Sequence, residues 1–350
     1  MRIAPLLVAS ALVGTTAQAQ ELTLTVDEQA ASAFGLDTAS LESDLQGEAS
    51  TALNLVDPQA FMDSMANAGG IAAKGMGVDY ASNPKAFVVG GGVGASTHSA
   101  GFSFGRGDSA LPQEGFATMV SFMGGVNLGV LDGTKKSALS RFVVYVNGMS
   151  LDLPSDREFG GSMYNVGAHV QAKLVKGKNA KVVEWGGFDL ITGFERSRYA
   201  LKLERELPIT APVDVNPTGI QGESQEGELT WTANGTYEIR STTDTIPVEL
   251  ATNLRLVVLS LYVGGGVDIH AASSDATAGL EGPLEARLRG QSENIGSAAL
   301  TVDFEGAGDP VVPRGFVGTQ LNLSLFKIYG HLNVGGNGSI GGHVGARVAM

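Results

Sequence analysis

Five histidines, His98, His169, His270, His331 and His343, are the residues of this chain best suited by type to metal or acid–base chemistry. Neutral imidazole is a common metal ligand. No two of the five have the close spacing of a metal motif, so no metal site is expected. Serine, aspartate and histidine are also available for a hydrolase, but no serine is read as sitting in the context of an activated nucleophile. The run Gly90-Gly-Gly-Val-Gly94 has the glycine content of a phosphate loop without its Lys-Ser/Thr. Neither an enzyme nor a cofactor is expected.

The other chemically capable residues are charges spaced by two. Lys202 and Glu204, Glu238 and Arg240, and more loosely Glu249 and Arg255, recur on alternate positions, and Asp303 is expected near Arg347. Alternation of polar with apolar residues is the mark of a strand with one wet face. On that reading His169, Lys173, Lys202, Glu204, Glu238, Arg240, Glu249, Arg255, Asp268, His270 and Arg347 share the wet side of their strands. They either neutralise one another across a lumen or form a charge ring that selects solutes.

The elements that must carry them are long. Residues 229–240 place Leu229, Trp231, Ala233, Tyr237 and Ile239 on one face and Thr230, Thr232, Asn234, Glu238 and Arg240 on the other. Similar runs recur at 166–174, 199–204, 246–256, 261–270, 317–325 and 343–350, with further candidates at 86–98, 116–131, 139–153, 181–193, 280–289, 298–305 and 327–335. Several reach ten residues, and a membrane-crossing strand needs about 9 to 11. The fold class expected is all-β, an antiparallel transmembrane β-barrel of about 12 to 14 strands. Leu201, Leu203, Trp231, Ala233, Leu250, Leu254, Val263 and Val348 are expected to face lipid, and Thr232 to face inward. A change of phase between Val146 and Met149 predicts a bulge near Asn147 and Gly148. The acidic segment 209–227 comes at the wrong parity for a loop, so one strand near it is miscounted.

The ends and the composition fit. Arg2, an apolar run from Ile3 to Val13 and Ala17-Gln-Ala19 read as a signal peptide over 1–19, cleaved after Ala19. There are no cysteines, so disulfides are excluded. The longest later apolar run, Leu256 to Val267, is broken by Ser260 and Gly264–Gly266 and is too short for a spanning helix. The net charge of −13 disfavours nucleic acid as a partner. Glycine, at 49 residues, is about twice the usual share and has no collagen period.

Residues 20–84 read differently from the barrel that follows at 85–350. Leu22–Val26 is a short strand, a helix is expected over Ser40–Gln46, and Asp57-Pro58 starts another that Gly69-Gly70 stops. Phe61, Met62 and Met65 make an apolar stripe. With Asn83 and Pro84 they are the candidates for a plug against the inner wall, or else for a periplasmic extension. This helical, Gly-rich segment running through Gly75-Met-Gly-Val-Asp-Tyr-Ala-Ser-Asn83-Pro84 into alternating strands resembles the outer-membrane long-chain fatty-acid and hydrocarbon transporter family. Two features depart from that family: the chain is shorter, and it ends in Met350 where a terminal aromatic is common. The resemblance implies passive uptake of apolar molecules through a plugged barrel. Three function classes stay open: a pore or transporter, a structural or adhesive barrel working through the loops 99–115, 154–163 and 209–227, and a soluble periplasmic β protein. The partners expected for a barrel are outer-membrane lipids and the barrel-assembly machinery, in the envelope of a Gram-negative cell.

Overall fold

The computed structural model describes residues 20–27, 31, 36, 58–99, 114–131, 138–153, 159–180, 182–215, 225–288 and 291–350. The signal peptide expected over 1–19, the helix expected over Ser40–Gln46 and the tips of the long loops lie outside them. Twelve strands and one long helix are described: β1 (Gln20–Val26), α1 (Pro58–Ala72), β2 (Phe87–His98), β3 (Gly115–Asn127), β4 (Phe142–Leu153), β5 (Phe159–Ala180), β6 (Val183–Val215), β7 (Gln225–Leu256), β8 (Leu259–Leu288), β9 (Gln291–Ala307), β10 (Val311–Leu323), β11 (Phe326–Gly335) and β12 (Ser339–Ala349). All the pairings are antiparallel. From β8 the order runs β10, β11, β12, β2, β3, β4, β5, β6, β7 and back to β8, which closes a ring of ten strands. Closure satisfies every ladder without an edge, as a wall in lipid requires. No described helix is long and apolar enough to cross a membrane.

Three strands are far longer than the rest: β6 has 33 residues, β7 has 32 and β8 has 30. Each joins two runs that the sequence reads as separate strands, which removes the parity conflict around 209–227. β5 pairs with β6 only as far as Phe159 opposite Leu203, and β10 pairs with β8 only up to Val311 opposite Ile269. Beyond those levels β6, β7 and β8 continue, joined by β9 on the free edge of β8 and by β1 on β9. The result is a five-stranded extension standing on one end of the barrel. Its edge on β6 carries Pro208 and Pro212, residues that strands accept at an edge because they cannot donate to a further ladder.

Side-chain phase runs unbroken through these strands while the apolar face changes sides. In β7 the odd positions point inward throughout and the even positions outward. At barrel level the outward residues are apolar, Ile246, Val248, Leu250 and Leu254, and the inward ones polar, Thr243, Thr245, Glu249 and Asn253. That outward stretch matches the roughly 9 to 11 residues of a membrane crossing. In the extension the inward residues are apolar, Leu229, Trp231, Ala233 and Ile239, and the outward ones Thr230, Thr232, Asn234, Glu238 and Arg240. Here Leu229, Trp231 and Ala233 pack with Leu280, Leu284, Ala286, Ile295, Ala298, Leu300 and Val302 and with Ala31 and Leu36 of the N-terminal stretch.

The lipid-facing assignments therefore divide. Leu250, Leu254, Val263 and Val348 are exposed on the outer belt. Trp231 and Ala233 are fully buried inside the extension, Leu201 is half-buried against the inner cluster, Thr232 points outward, and the side chain of Leu203 is outside those described. The bulge expected near Asn147 and Gly148 is absent, since β4 and β5 hold one register from Phe142 to Leu153. The change of phase there is the same inversion of the apolar face. Irregularities occur instead at Lys173/Val175, Trp185/Phe188 and Leu284/Glu285.

Two substitutions separate the two regimes. Leu250→Arg places a charge in lipid and should cost about 2 to 4 kcal/mol near the midplane, read from denaturant titration of the protein folded into vesicles. Ala233→Arg should instead expose the extension to protease with the barrel still folded, because a lone charge is buried in a water-built core. An Ala233→Arg barrel that fails to insert would contradict this placement.

Candidate functional site

The N-terminal segment passes through the ring from the extension end to the opposite, turn end, where Val257-Val258 links β7 to β8. α1 begins beside β9, where the Asp63 carboxylate accepts from the Ala307 N–H (2.8 Å) and the Asn67 amide oxygen from the Asp309 N–H (2.8 Å). Pro58 suits a first helical position because its missing N–H would have no helical partner. Phe61, Met62 and Met65 pack on Tyr199, Ile239 and Ala276. The helix does not stop at Gly69-Gly70 but runs to Ala72. Those glycines allow close approach to the wall: a Cβ on Gly69 would lie 2.9 Å from the Ser241 hydroxyl. At Gly75 the backbone turns with φ +84° against the His331 ring, a conformation and a space that favour glycine. The chain then reaches Asn83 and Pro84 and enters β2. Asn83 accepts from Lys173 (2.9 Å) and Asn127 donates to the Pro84 carbonyl (3.0 Å).

Buried ion pairs fasten this segment to the wall. Lys74 meets Glu195 at 2.5 Å, with His169 Nε2 3.3 Å from the same carboxylate. Asp79 pairs with Arg347 at 3.0 Å, and it accepts the N–H groups of Ala81 and Ser82 at 3.1 and 2.9 Å. Arg347 also donates to the Val78 carbonyl (3.2 Å) and lies 3.7 Å over the Tyr329 ring. On the wall, Arg314 is held by Glu249 and by Asp268 (2.7 Å), and it donates to Asn333 (2.5 Å). The Tyr80 hydroxyl donates to Glu249 (2.8 Å), and the Asn333 amide donates to the Lys74 carbonyl (3.0 Å). Around Tyr80 stand Tyr262, Phe316 and His331, with ring centroids 5.5, 4.8 and 5.4 Å away, and His331 stacks on His343 at 4.5 Å. A buried charge must be paired and hydrogen-bonded to be tolerated. This network meets that demand with contributions from both segment and wall.

Of the residues expected in the lumen, His169, Glu249, Asp268, His270 and Arg347 are buried within it, and Lys173 lies partly buried on Asp189 at 3.1 Å. His270 takes Thr245 as its partner (2.8 Å). Arg255 sits at the turn end and donates to the Val257 carbonyl (3.2 Å), away from Glu249. Lys202, Glu204, Glu238 and Arg240 are corrected: they pair as spaced, at 2.7 and 2.6 Å, but on the water-exposed outer face of the extension. The reason is the inversion, which puts the wet side outward there. The hydrogen bond to Glu204 holds the Lys202 ammonium above its ordinary range. Arg347 meets Asp79 of the segment, and Asp303 accepts instead from Thr277 (2.8 Å).

Lys74, Asp79, Tyr80, Glu195 and Arg314 were not singled out in the sequence. Lys74 and Asp79 carry a signal, as charges inside a run of small residues; Arg314, between Pro313 and Gly315, carries none. Against the expectation of no activated serine, Gly101-Phe-Ser103-Phe-Gly105 has the spacing of a hydrolase nucleophile; it lies outside the described residues. Among the described residues no three of His, Asp or Glu are grouped to hold a metal.

A family model described as Lsa36-like matches residues 13–350. The chain belongs to the Lsa36-like family. No curated protein matches this Lsa36-like chain. Among solved structures it is similar to the outer membrane protease OmpT of Escherichia coli, at 8% identity and TM-score 0.37, over 76% of this chain and 97% of that one. It is also similar to the transport unit of the autotransporter AIDA-I of Escherichia coli, at 12% identity and TM-score 0.29, over 87% of this chain and 98% of that one. A third likeness is the translocator domain of the autotransporter NalP of Neisseria meningitidis, at 9% identity and TM-score 0.28, over 92% and 100%.

Arg314 lies at the centre of the Lsa36-like lumen and provides a direct test of the network. Arg314→Met should destabilise the folded barrel by about 3 to 5 kcal/mol, because Glu249 and Asp268 lose their cation without regaining water. Arg240→Gln opens an exposed pair and should change the same denaturant midpoint little.

Proposed function

We propose that the protein is a closed barrel of the outer membrane that displays its extension to the outside, with function in that extension and the loops beside it. The observation that carries this reading is the N-terminal segment, which runs the length of the lumen and is tied to the wall by Lys74–Glu195 and Asp79–Arg347. Several buried ion pairs would have to open together before solute could pass. Connection length supports this direction of insertion: at the end opposite the extension β5–β6, β7–β8 and β10–β11 are joined by tight links, with 128–141 the one long link there, and short turns are typical of the periplasmic side. On this reading the outer-membrane lipids surround the belt and the barrel-assembly machinery inserts it. Its net charge of −13 disfavours nucleic acid as a partner.

The second reading, a gated pore for small and possibly apolar solutes as the resemblance to fatty-acid transporters implies, is favoured by one feature. A cleft of about 560 Å³ opens at the turn end beside Asn83 and Pro84, where the segment leaves the lumen. Planar-bilayer conductance separates the two. The full-length protein should be silent, and deletion of 57–84 should leave a barrel that assembles and conducts, since the ring closes through its own ladder. Steady or gated conductance by the full-length protein would favour the pore. An epitope placed between β8 and β9 should stain on intact cells, and one placed after Val257 only after permeabilisation; the reverse pattern would put the extension in the periplasm.

A further inference from the structure

The cleft at the turn end has a chemistry of its own. Lys85, Arg141 and Lys173 reach it from three different places, the end of the lumenal segment, the short helix before β4 and the inner face of β5. Lys173 is already matched by Asp189. Lys85 and Arg141 are exposed and have no ion pair among the described residues, so the mouth keeps an excess of positive charge. Lys176, Lys178 and Arg255 stand around the same end, with Glu184 opposite Arg255. In a chain of net charge −13 this is a local reversal of sign. Asp189 also lines the cleft, but it is matched by Lys173, and the two cations left over concentrate anions there.

The rest of the lining mixes carbon surface with polar side chains such as Asn83, Asn127 and Gln171. Pro84, Val130 and the buried Val143 contribute carbon surface, and the walls are braced by Asn127, whose side chain donates to the Pro84 and Ser140 carbonyls at 3.0 and 3.3 Å. Its amide oxygen accepts the Gly129 N–H (2.8 Å). One side chain thus ties the lumenal segment to both short 3-10 helices, Leu128–Leu131 and Ala138–Arg141. The volume is that of a small-molecule pocket, and apolar walls with a few placed charges are what such pockets need.

We propose that this cleft binds a small amphiphilic carboxylate from the aqueous side, its charged end between Lys85 and Arg141 and its apolar end on Pro84, Val130 and Val143. The site is present whether the barrel is closed or gated, so it stands apart from the conductance result. Calorimetric titration of the full-length protein in phosphatidylcholine nanodiscs, with hexanoate, hexanol and acetate as probes, tests it. Hexanoate should bind at least about tenfold more tightly than hexanol or acetate, which each supply half of the contacts. The double variant Lys85→Glu/Arg141→Glu, confined to exposed side chains, should weaken hexanoate by about tenfold or more with folding unchanged, and Val130→Trp, which fills the cleft, should do the same. The idea is overturned if hexanoate does not bind, if hexanol matches it, or if either variant leaves its affinity intact. Loss of hexanoate binding in phosphatidylglycerol nanodiscs would also overturn it, since a lipid headgroup would then be the occupant.

Discussion

A β-strand shows alternate residues to opposite sides, and without a bulge nothing along it can change that order. β7 keeps one phase through 32 residues while its surroundings change from lipid outside and polar lumen inside to water outside and a packed core inside. The chain meets the change by exchanging residue types between the two faces. Thr243 and Thr245 point where Trp231 and Ile239 point, and Ile246 points where Glu238 points. The switch falls at one level in adjacent strands, since Ile239 pairs with Ala276 and Ile246 with Ile269. The upper edge of the apolar belt is thereby written into the ladder itself.

The closed ring sets the second problem, since its interior must be filled with something compatible with polar inward faces. The inward faces also carry apolar residues, and Val88, Met123, Val143, Tyr145 and Ile191 pack with Val78, Tyr80 and Ala81 of the segment. The chain fills the space with its own N-terminal segment and with paired charges. Arg314, Glu249 and Asp268 lie on three adjacent parts of the wall, and Tyr80 and Asn333 link them to the segment. Such pairs add little net stability over a packed apolar core. Their geometric demands are strict, however, and they fix where the segment can lie. The small residues of 68–77 let it approach that wall.

The extension has a different logic from the barrel beneath it. It is an open sheet, so its edges need separate treatment: prolines at Pro208 and Pro212 on β6, and β1 laid along β9 on the other side. The strand that covers one edge and the segment that fills the lumen belong to the same stretch of chain.

Period-two alternation by itself determined the class of fold, the stretches that form strands and the membership of each face. Those follow from local backbone geometry, in which neighbouring side chains are related without reference to any partner. The lipid exposure of Leu250, Leu254, Val263 and Val348 was legible for that reason. Which face met which environment was not, as Trp231, Ala233, Lys202, Glu204, Glu238 and Arg240 demonstrate. The same pattern serves a water-built sheet and a lipid-built wall with the sides exchanged, and only the pairing of β8 with β9 beyond the end of β10 decides which regime a residue is in. The lumenal partners were likewise hidden. Lys74 and Glu195, or Asp79 and Arg347, are brought together by ring closure across long stretches of chain, and no local spacing encodes a contact made by threading one segment through a ring formed by the others.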